Sequence, residues 1–596
     1  MSEKPEESGS TPDLGTMTAD FLKLLEKNQQ AFAKLIATPP QAIGKMLDPF
    51  NVMGSFKESA KSLASDPAKL MRANLDLWQQ HMQLWQNATA RVLGDNTKST
   101  TTNDKSDKRF RSDEWQENPI FDFIRQSYLI TSRWLMDTMS NVEGLSEEDA
   151  KKVQFHTKQL ADAMAPSNFL MTNPEVIKAT IDSGGQNLVR GMQNLARDIK
   201  AGDGKLKIAM TDETAFELGV NVATTPGKIV YQNEIMQLIQ YEPITEEVYR
   251  RPLVIFPPWI NKYYILDLQP ENSFVRWAVS HGYTVFVVSW VNPDTKLSGK
   301  TMEDYLNEGV LETLDAVAAA TGESEVTVIG YCIGGTLTGA ALAYLAAKND
   351  ERVKAATFFA AQVDFSEAGD LKVFIDEEQL DNLEKQMEET GYLEGSTMST
   401  AFNLLRSNDL IWSSYVNNYL LGKDPMKFDL LYWNADATRM PRALHMFYLR
   451  ECYLKNNLAK PGGIRLNDTP IDLGKVTIPI YLQSAREDHI APYPSVFKAK
   501  NLYSGPVRFM LAGSGHIAGV INPPRANKYN YWMNEEQPND LDEWLAGAES
   551  RPGSWWDDWN TWLAPLSGEM VPARKPGGGK LDIIEDAPGS YAKVKS

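Results

Sequence analysis

Residues 326–346 read VTVIGYCIGGTLTGAALAYLA, and the rest of the chain can be ordered around them. The first six are β-branched or aromatic around one glycine, the composition of a strand buried on both faces. The remainder after the glycines is rich in Ala and Leu and reads as a helix. Between them stands Gly330-Tyr331-Cys332-Ile333-Gly334, followed by Gly335, a G-x-C-x-G strand-to-helix turn. Such a turn forces its middle residue into a strained backbone conformation, and only glycines fit where neighbouring backbone closes in. It lifts the Cys332 sulfur above a sheet edge, at the amino end of the next helix, where positive potential favours a thiolate. The pentapeptide alone is a weak pattern; the strand before it and the helix after it give it weight.

On either side, short β-rich runs alternate with helical ones. KIVYQ (228–232), PLVIF (252–256), YTVFVVSW (283–290), AATFFAA (355–361), IPIYLQ (478–483) and VRFMLA (507–512) read as strands. Several are continuously apolar, as in a parallel sheet covered on both faces. Helical stretches such as 302–320 and 335–347 lie between them, which makes the class α/β. The alternation fails between about Phe365 and Pro461, an interval rich in Leu, Trp, Tyr and Asn and too long for a loop. It reads as a largely helical cap inserted over the carboxyl edge of the sheet, where α/β ligand sites form.

Two more strand ends complete a chemistry. Ser484-Ala485-Arg486-Glu487-Asp488-His489 follows one strand, and Gly513-Ser514-Gly515-His516-Ile517 follows the next. The order nucleophile, acid, histidine is that of a Cys–His–Asp triad built on an elbow of this kind. Six histidines are available. His81 and His156 fall in N-terminal helices, His281 in a turn before a strand and His445 inside the cap, all structural or exposed positions. His489 adjoins the acid, which leaves His516 as the base. Asp488 is preferred to Glu487 by loop position and to Asp364 by chain order; Asp364, just past the 355–361 strand, is the runner-up. Cys452 lacks elbow glycines and reads as a small buried hydrophobe.

Before about Lys205 the chain reads as helix and linker. An apolar face over 18–37 (Phe21, Leu24, Leu25, Phe32, Leu35, Ile36) is stopped by Pro39 and Pro40. Over 67–93, Met71, Leu75, Trp78, Met82, Trp85 and Val92 recur in steps of four and three, with Leu70, Leu77 and Leu84 as a second line. The favoured reading is a helix packed on its own domain, the sharper one an amphipathic helix offered to a partner or apolar surface. Residues 95–113 are a polar linker by composition. Ser146-Glu147-Glu148-Asp149 resembles a capping box, and Asn173-Pro174 a capped helix start. The expected organisation is a helical N-terminal domain over 1–204 and a catalytic domain over 205–596, with the cap over 365–461.

Composition narrows the function. The chain has 596 residues, with 60 Lys+Arg against 78 Asp+Glu and a net charge of −18, which argues against sequence-independent nucleic-acid binding. Two cysteines exclude a disulfide scaffold or a multi-thiolate zinc site. No apolar run reaches the length of a membrane span, and the polar start carries no secretory signal, so a cytoplasmic protein is expected.

Assembled, these residues resemble the polyhydroxyalkanoate synthases, most closely class I. The matching segments include PPWINKYYILDLQPENSFVRW (257–277), SWVNPD (289–294), GYCIGGT (330–336), NDLIWSSYVNNYL (408–420), FDLLYWNADATRMP (428–441), REDHIAP (486–492), SGHIAGVINPP (514–524) and GSWWDDW (553–559). The resemblance implies an α/β-hydrolase fold with an inserted helical cap and a helical N-terminal domain, and a catalytic triad of Cys332, Asp488 and His516. It implies polymerisation of an (R)-3-hydroxyacyl-CoA into polyester with release of CoA, through a thioester on Cys332. The GHIAGVINPP segment is similar to the form that accompanies short-chain substrates, pointing to (R)-3-hydroxybutyryl-CoA. No cofactor and no metal are called for. The polyester granule surface, granule-associated proteins and a second copy, as a homodimer through the cap, are the implied partners.

The backbone N–H of Ile333, just after the nucleophile, and that of Ile260, in the PPWIN loop, are the candidate oxyanion donors. Arg406 is the candidate CoA-phosphate or lid-orienting residue, with a structural salt bridge as its competing role. Trp259 stands where the family often has a smaller residue. The group Trp555, Trp556, Trp559 and Trp562 reads as packing for the C-terminal segment rather than a polymer platform. A cysteine-dependent esterase or polyester depolymerase would share the triad but not these flanks.

Overall fold

The computed structural model describes residues 67–92, 107–140, 145–204 and 206–595. The helix expected over 18–37 and most of the linker expected over 95–113 lie outside them. The chain forms two compact units. Of the described residues, one takes those up to Met210 together with Arg406–Met426; the other takes Thr211–Leu405 and 427–595.

The first unit is helical, with long helices at Pro67–Val92, Pro119–Ser140, Glu147–Ala163 and Gln186–Ala201. Their starts follow from local chemistry. The Ser146 hydroxyl accepts the Asp149 N–H at 3.0 Å and donates to its carboxylate at 2.6 Å, and Asn173 caps the helix Pro174–Asp182 with Pro174 at its first position, each cap contributing about 1 kcal/mol. Helix Pro67–Val92 packs through Leu84, which is buried, and through His81, whose Nε2 meets Thr131 Oγ1 at 3.1 Å. The line Met71, Leu75, Trp78, Met82, Trp85 is the opposite one: all five are exposed, Trp78 and Trp85 at 60% and 62%. Leu84, from the second line, makes the internal contact, so this helix has two apolar faces and buries only one.

Part of the interval expected as one cap belongs to this unit. Tyr419 donates to Asp198 at 2.7 Å, Asn194 to the carbonyls of Asn418 and Lys423 at 3.0 and 3.1 Å, and Asn187 to Leu420 O at 2.8 Å. Gly191 admits this approach, since a Cβ there would lie 1.8 Å from Tyr419 O. The rest of the interval, with helices at Glu377–Thr390, Gly395–Leu405, Asp429–Ala435 and Arg442–Phe447, stays with the second unit.

The second unit is built on an 11-stranded sheet. In chain order its strands are β1 (Gly227–Gln232), β2 (Met236–Tyr241), β3 (Leu253–Phe256), β4 (Val285–Trp290), β5 (Val326–Tyr331) and β6 (Val353–Phe359). They continue with β7 (Ile480–Ala485), β8 (Val507–Ala512), β9 (Asn530–Met533), β10 (Glu549–Pro552) and β11 (Glu585–Asp586). The spatial order is β10-β9-β8-β7-β6-β5-β3-β4-β2-β1-β11. From β8 through β4 the neighbours are parallel, and the outer strands pair antiparallel. Every residue of β2, β3, β4, β5 and β7 is buried, as a sheet with both faces covered requires. Strand β7 starts after Pro479, which has no N–H for the ladder, and β6 ends at Phe359 because Ala360 turns to φ 42°.

The C-terminal tryptophans are core. Trp555, Trp556 and Trp559 are fully buried, and their indole N–H groups donate to Gly519 O, Val520 O and Thr357 Oγ1 at 2.8–2.9 Å. Burying such rings while satisfying the N–H gains their full apolar area at no polar cost.

Candidate active site

Strand β5 ends at Tyr331, and the next residue is the first off the sheet. Cys332 has φ 53° and ψ −126° and precedes the helix Ile333–Ala347, a conformation that costs on the order of 1–3 kcal/mol in a residue with a Cβ. Its N–H is held by Phe359 O at 2.9 Å, and its carbonyl accepts from Gly335 N at 2.8 Å. The glycines fit for separate reasons. A Cβ at Gly330 would lie 2.5 Å from Gly335 Cα, and one at Gly334 2.3 Å from Phe256 O. The first clash would open the elbow; the second would push the helix off the loop after β3.

Strands β7 and β8 bring the other two groups. Asp488 sits just past β7 with its side chain sealed from solvent. Its Oδ1 accepts the N–H groups of Ile490 and Ala491, both at 2.9 Å. Its Oδ2 lies 2.7 Å from His516 Nδ1, which leaves the imidazole's other nitrogen available to the Cys332 sulfur. Burial pushes the imidazolium's pKa down, but the Asp488 carboxylate and the Cys332 sulfur outweigh it and hold His516 well above the ordinary histidine value. Tyr331 stacks on the His516 ring with centroids 5.9 Å apart. That contact had no sequence signal beyond its place as the variable residue before the nucleophile.

The competing candidates lie elsewhere. Asp364 Oδ1 is engaged by Ser366 N at 2.8 Å and Asn456 Nδ2 at 3.1 Å, and Glu487 is exposed. His445 is buried, which pushes its pKa down to about 4. Cys452 is fully buried, and burial drives its thiol well above the ordinary range. That is the opposite of what a nucleophile needs.

Ile333 opens the elbow helix, so its N–H is among those a helix leaves without an internal acceptor. Ile260 lies in the loop after β3, held by Thr438: its hydroxyl donates to Trp259 O at 2.6 Å and its N–H to Ile260 O at 3.4 Å. Trp259 is buried against Trp290, Tyr305 and Tyr448. Arg406 lies in the helical unit, where its guanidinium pairs with Asp409, a carboxylate that also takes Lys108 at 3.0 Å.

The sheet, the elbow and the buried imidazole–carboxylate pair define an α/β-hydrolase-fold enzyme with cysteine at the elbow. Residues 252–523 match the family model of the α/β hydrolase fold, and residues 106–278 match that of the poly-β-hydroxybutyrate polymerase (PhaC) N-terminus. Over 562 residues the chain is 48% identical to the poly(3-hydroxyalkanoate) polymerase subunit PhaC of Rhizobium meliloti, covering 94% of this chain and 92% of that one. It is 46% identical to the poly(3-hydroxyalkanoate) polymerase of Methylorubrum extorquens (98% and 99% covered) and 41% identical to the PhaC subunit of Cupriavidus necator (87% and 88% covered). The chain belongs to the poly(3-hydroxyalkanoate) polymerase family, a family of acyltransferases. No helix among the described residues is long and apolar enough to cross a membrane.

Proposed function

We propose that this enzyme polymerises (R)-3-hydroxyacyl-CoA, with (R)-3-hydroxybutyryl-CoA as its monomer, releasing CoA through a thioester on Cys332. The supporting observation is the 2.7 Å contact of His516 Nδ1 with the buried Asp488 carboxylate, the imidazole ring stacking on Tyr331, the residue before the elbow cysteine. His516 takes the thiol proton, and Asp488 orients the imidazole and stabilises its charged form. The thiolate attacks the thioester carbonyl, the N–H groups of Ile333 and Ile260 receive the oxyanion, and CoA leaves as its thiol. The acyl group stays activated because one thioester has replaced another. In the elongation step His516 removes the proton of a 3-hydroxyl, whose oxygen then attacks an acyl thioester; an ester forms and a thiol is regenerated.

Water competes for the same acyl group, and we assign to the 365–461 cap interval the role of a lid that excludes it. Arg406 is the proposed CoA-phosphate or lid-orienting residue, with its ion pair to Asp409 as the competing structural role. The exposed line of helix Pro67–Val92 is the proposed granule contact, and a homodimer formed through the cap is the proposed assembly, to be measured by light scattering. The deciding experiment is incubation with (R)-3-hydroxybutyryl-CoA: free CoA and insoluble polyester are expected. Release of the monomeric acid alone would make the chain an esterase.

A further inference from the structure

Strand order places an aromatic group over the nucleophile. In the sheet, β5 lies between β6 and β3, so Cys332, at the end of β5, stands between the segment after β6 and the loop after β3. Phe365 comes from the segment after β6 and is tied to the 448–456 stretch by Asn456, whose Oδ1 accepts the Phe365 N–H at 2.8 Å. Trp259 comes from the loop after β3. One residue touches both: the Tyr448 ring lies 5.8 Å from Phe365 and 6.4 Å from Trp259, centroid to centroid. It therefore crosses the end of β5 above the elbow.

Tyr448 opens a π-helical stretch, Tyr448–Leu454, the kind of widened turn that re-aims side chains at functional sites. Tyr453, from the same stretch, packs on Tyr448 at 5.3 Å and on Phe365 at 4.8 Å, centroid to centroid. Both tyrosines interact electrostatically with Cys332. Tyr448 and Cys332 are each only partly buried, while Tyr331, Ile333 and Leu449 beside them are buried, as expected of two side chains facing one cavity.

A neutral phenol carries one O–H donor that it can offer to a ligand. Burial, Tyr453 and the charge of Cys332 hold Tyr448 well above the ordinary phenol value; it stays neutral and can donate but not act as a base. With the acyl carbonyl assigned, as proposed above, to backbone N–H groups on the elbow and β3 side, Tyr448 on the other side is left to the substituent of the acyl chain. Its surroundings are the rings of Phe365, Tyr453 and Trp259, the last with an indole N–H that is buried without a hydrogen-bond partner.

We propose that Tyr448, held by Tyr453, is a substrate-binding residue that donates a hydrogen bond to the 3-oxygen of the acyl group on Cys332, selecting hydroxyacyl over plain acyl thioesters. This rests on the acylation reading above. A site built to bond a hydroxyl loses discrimination when its partner is removed. The test compares single-turnover CoA release by wild type and Tyr448→Phe, with (R)-3-hydroxybutyryl-CoA and with butyryl-CoA, which lacks the hydroxyl. The variant is expected to be slowed roughly tenfold or more on the hydroxylated substrate and by less than about twofold on butyryl-CoA. The butyryl-CoA rate also reports that the site is folded. Equal slowing on both substrates, or slowing on neither, would overturn the inference. A wild type that releases no CoA from either would overturn the acylation reading itself, and this inference with it.

Discussion

His516 Nδ1 lies 2.7 Å from Asp488 Oδ2, and both side chains are nearly sealed from water. In so dry a place the carboxylate acts on the imidazole with little screening, and the remaining Asp488 oxygen is saturated by two backbone N–H groups. Asp488→Asn can keep those two bonds through its amide oxygen while presenting an N–H to an imidazole N–H. The imidazole is then driven to the wrong tautomer, and a fall in kcat on the order of 10³ or more is expected in steady-state assays with little loss of fold. A variant with near wild-type kcat would remove Asp488 from the mechanism.

The same pair sets a pH dependence of stability. The folded-state pKa of His516 is raised, so its contribution is fully present below about pH 6.5, the unfolded value, and is lost as pH rises through the folded one. Urea midpoints of wild type should therefore decline from pH 6.5 toward higher pH relative to Asp488→Asn, in which the charge partner is missing. Parallel curves for the two proteins would contradict the assignment.

Gly334 tests the elbow geometry. A Cβ there would meet the Phe256 carbonyl at 2.3 Å, a backbone atom that cannot step aside, whereas one at Gly299 meets nothing within 4 Å. Gly334→Ala should cost about 1–3 kcal/mol or more by urea denaturation and abolish turnover. Gly299→Ala should change both little.

The two cysteines should separate cleanly under alkylation. Cys332 is partly accessible beside an imidazole, and Cys452 is buried with a raised thiol pKa. Iodoacetamide on the folded protein should label Cys332 alone and stop turnover in step with labelling. Cys452→Ala should keep most activity while losing about 1 kcal/mol of stability. Inactivation that tracks Cys452 labelling would reassign the nucleophile.

The exposed line of helix Pro67–Val92 should matter for surfaces rather than chemistry. Trp78→Glu combined with Trp85→Glu places charge on a face that stays exposed among the described residues. Polyester-granule cosedimentation should fall severalfold, with CoA release from soluble substrate unchanged. Undiminished cosedimentation would remove this face from granule attachment.

The elbow, the acid and the histidine were legible because each sits a few residues beyond a β-rich run and glycine spacing marks the turn. Strand β2 was not, because Gln237 and Gln240 interrupt its apolar run. Both are fully buried, with Gln237 bonded to Gln232, Glu585 and Ser590, partners that only the folded sheet supplies. Strands β9 and β10 are four residues each and pair antiparallel at one side of the sheet, too short for a periodicity to show. The association of Arg406–Met426 with the N-terminal helices was equally hidden, since a helical pattern says nothing about which neighbour buries it. Tyr448 and Tyr453 reach the site through strand order and a widened helical turn, neither of which leaves a local signature.

The mechanism stands on a thioester at one sulfur. Rapid quench of the enzyme with (R)-3-hydroxybutyryl-CoA, followed by peptide mass mapping, should find hydroxybutyryl units on the peptide carrying Cys332. They should be removed by neutral hydroxylamine and be absent from Cys332→Ala. CoA release with the acyl group found on another residue, or sustained by Cys332→Ala at the wild-type rate, would contradict it.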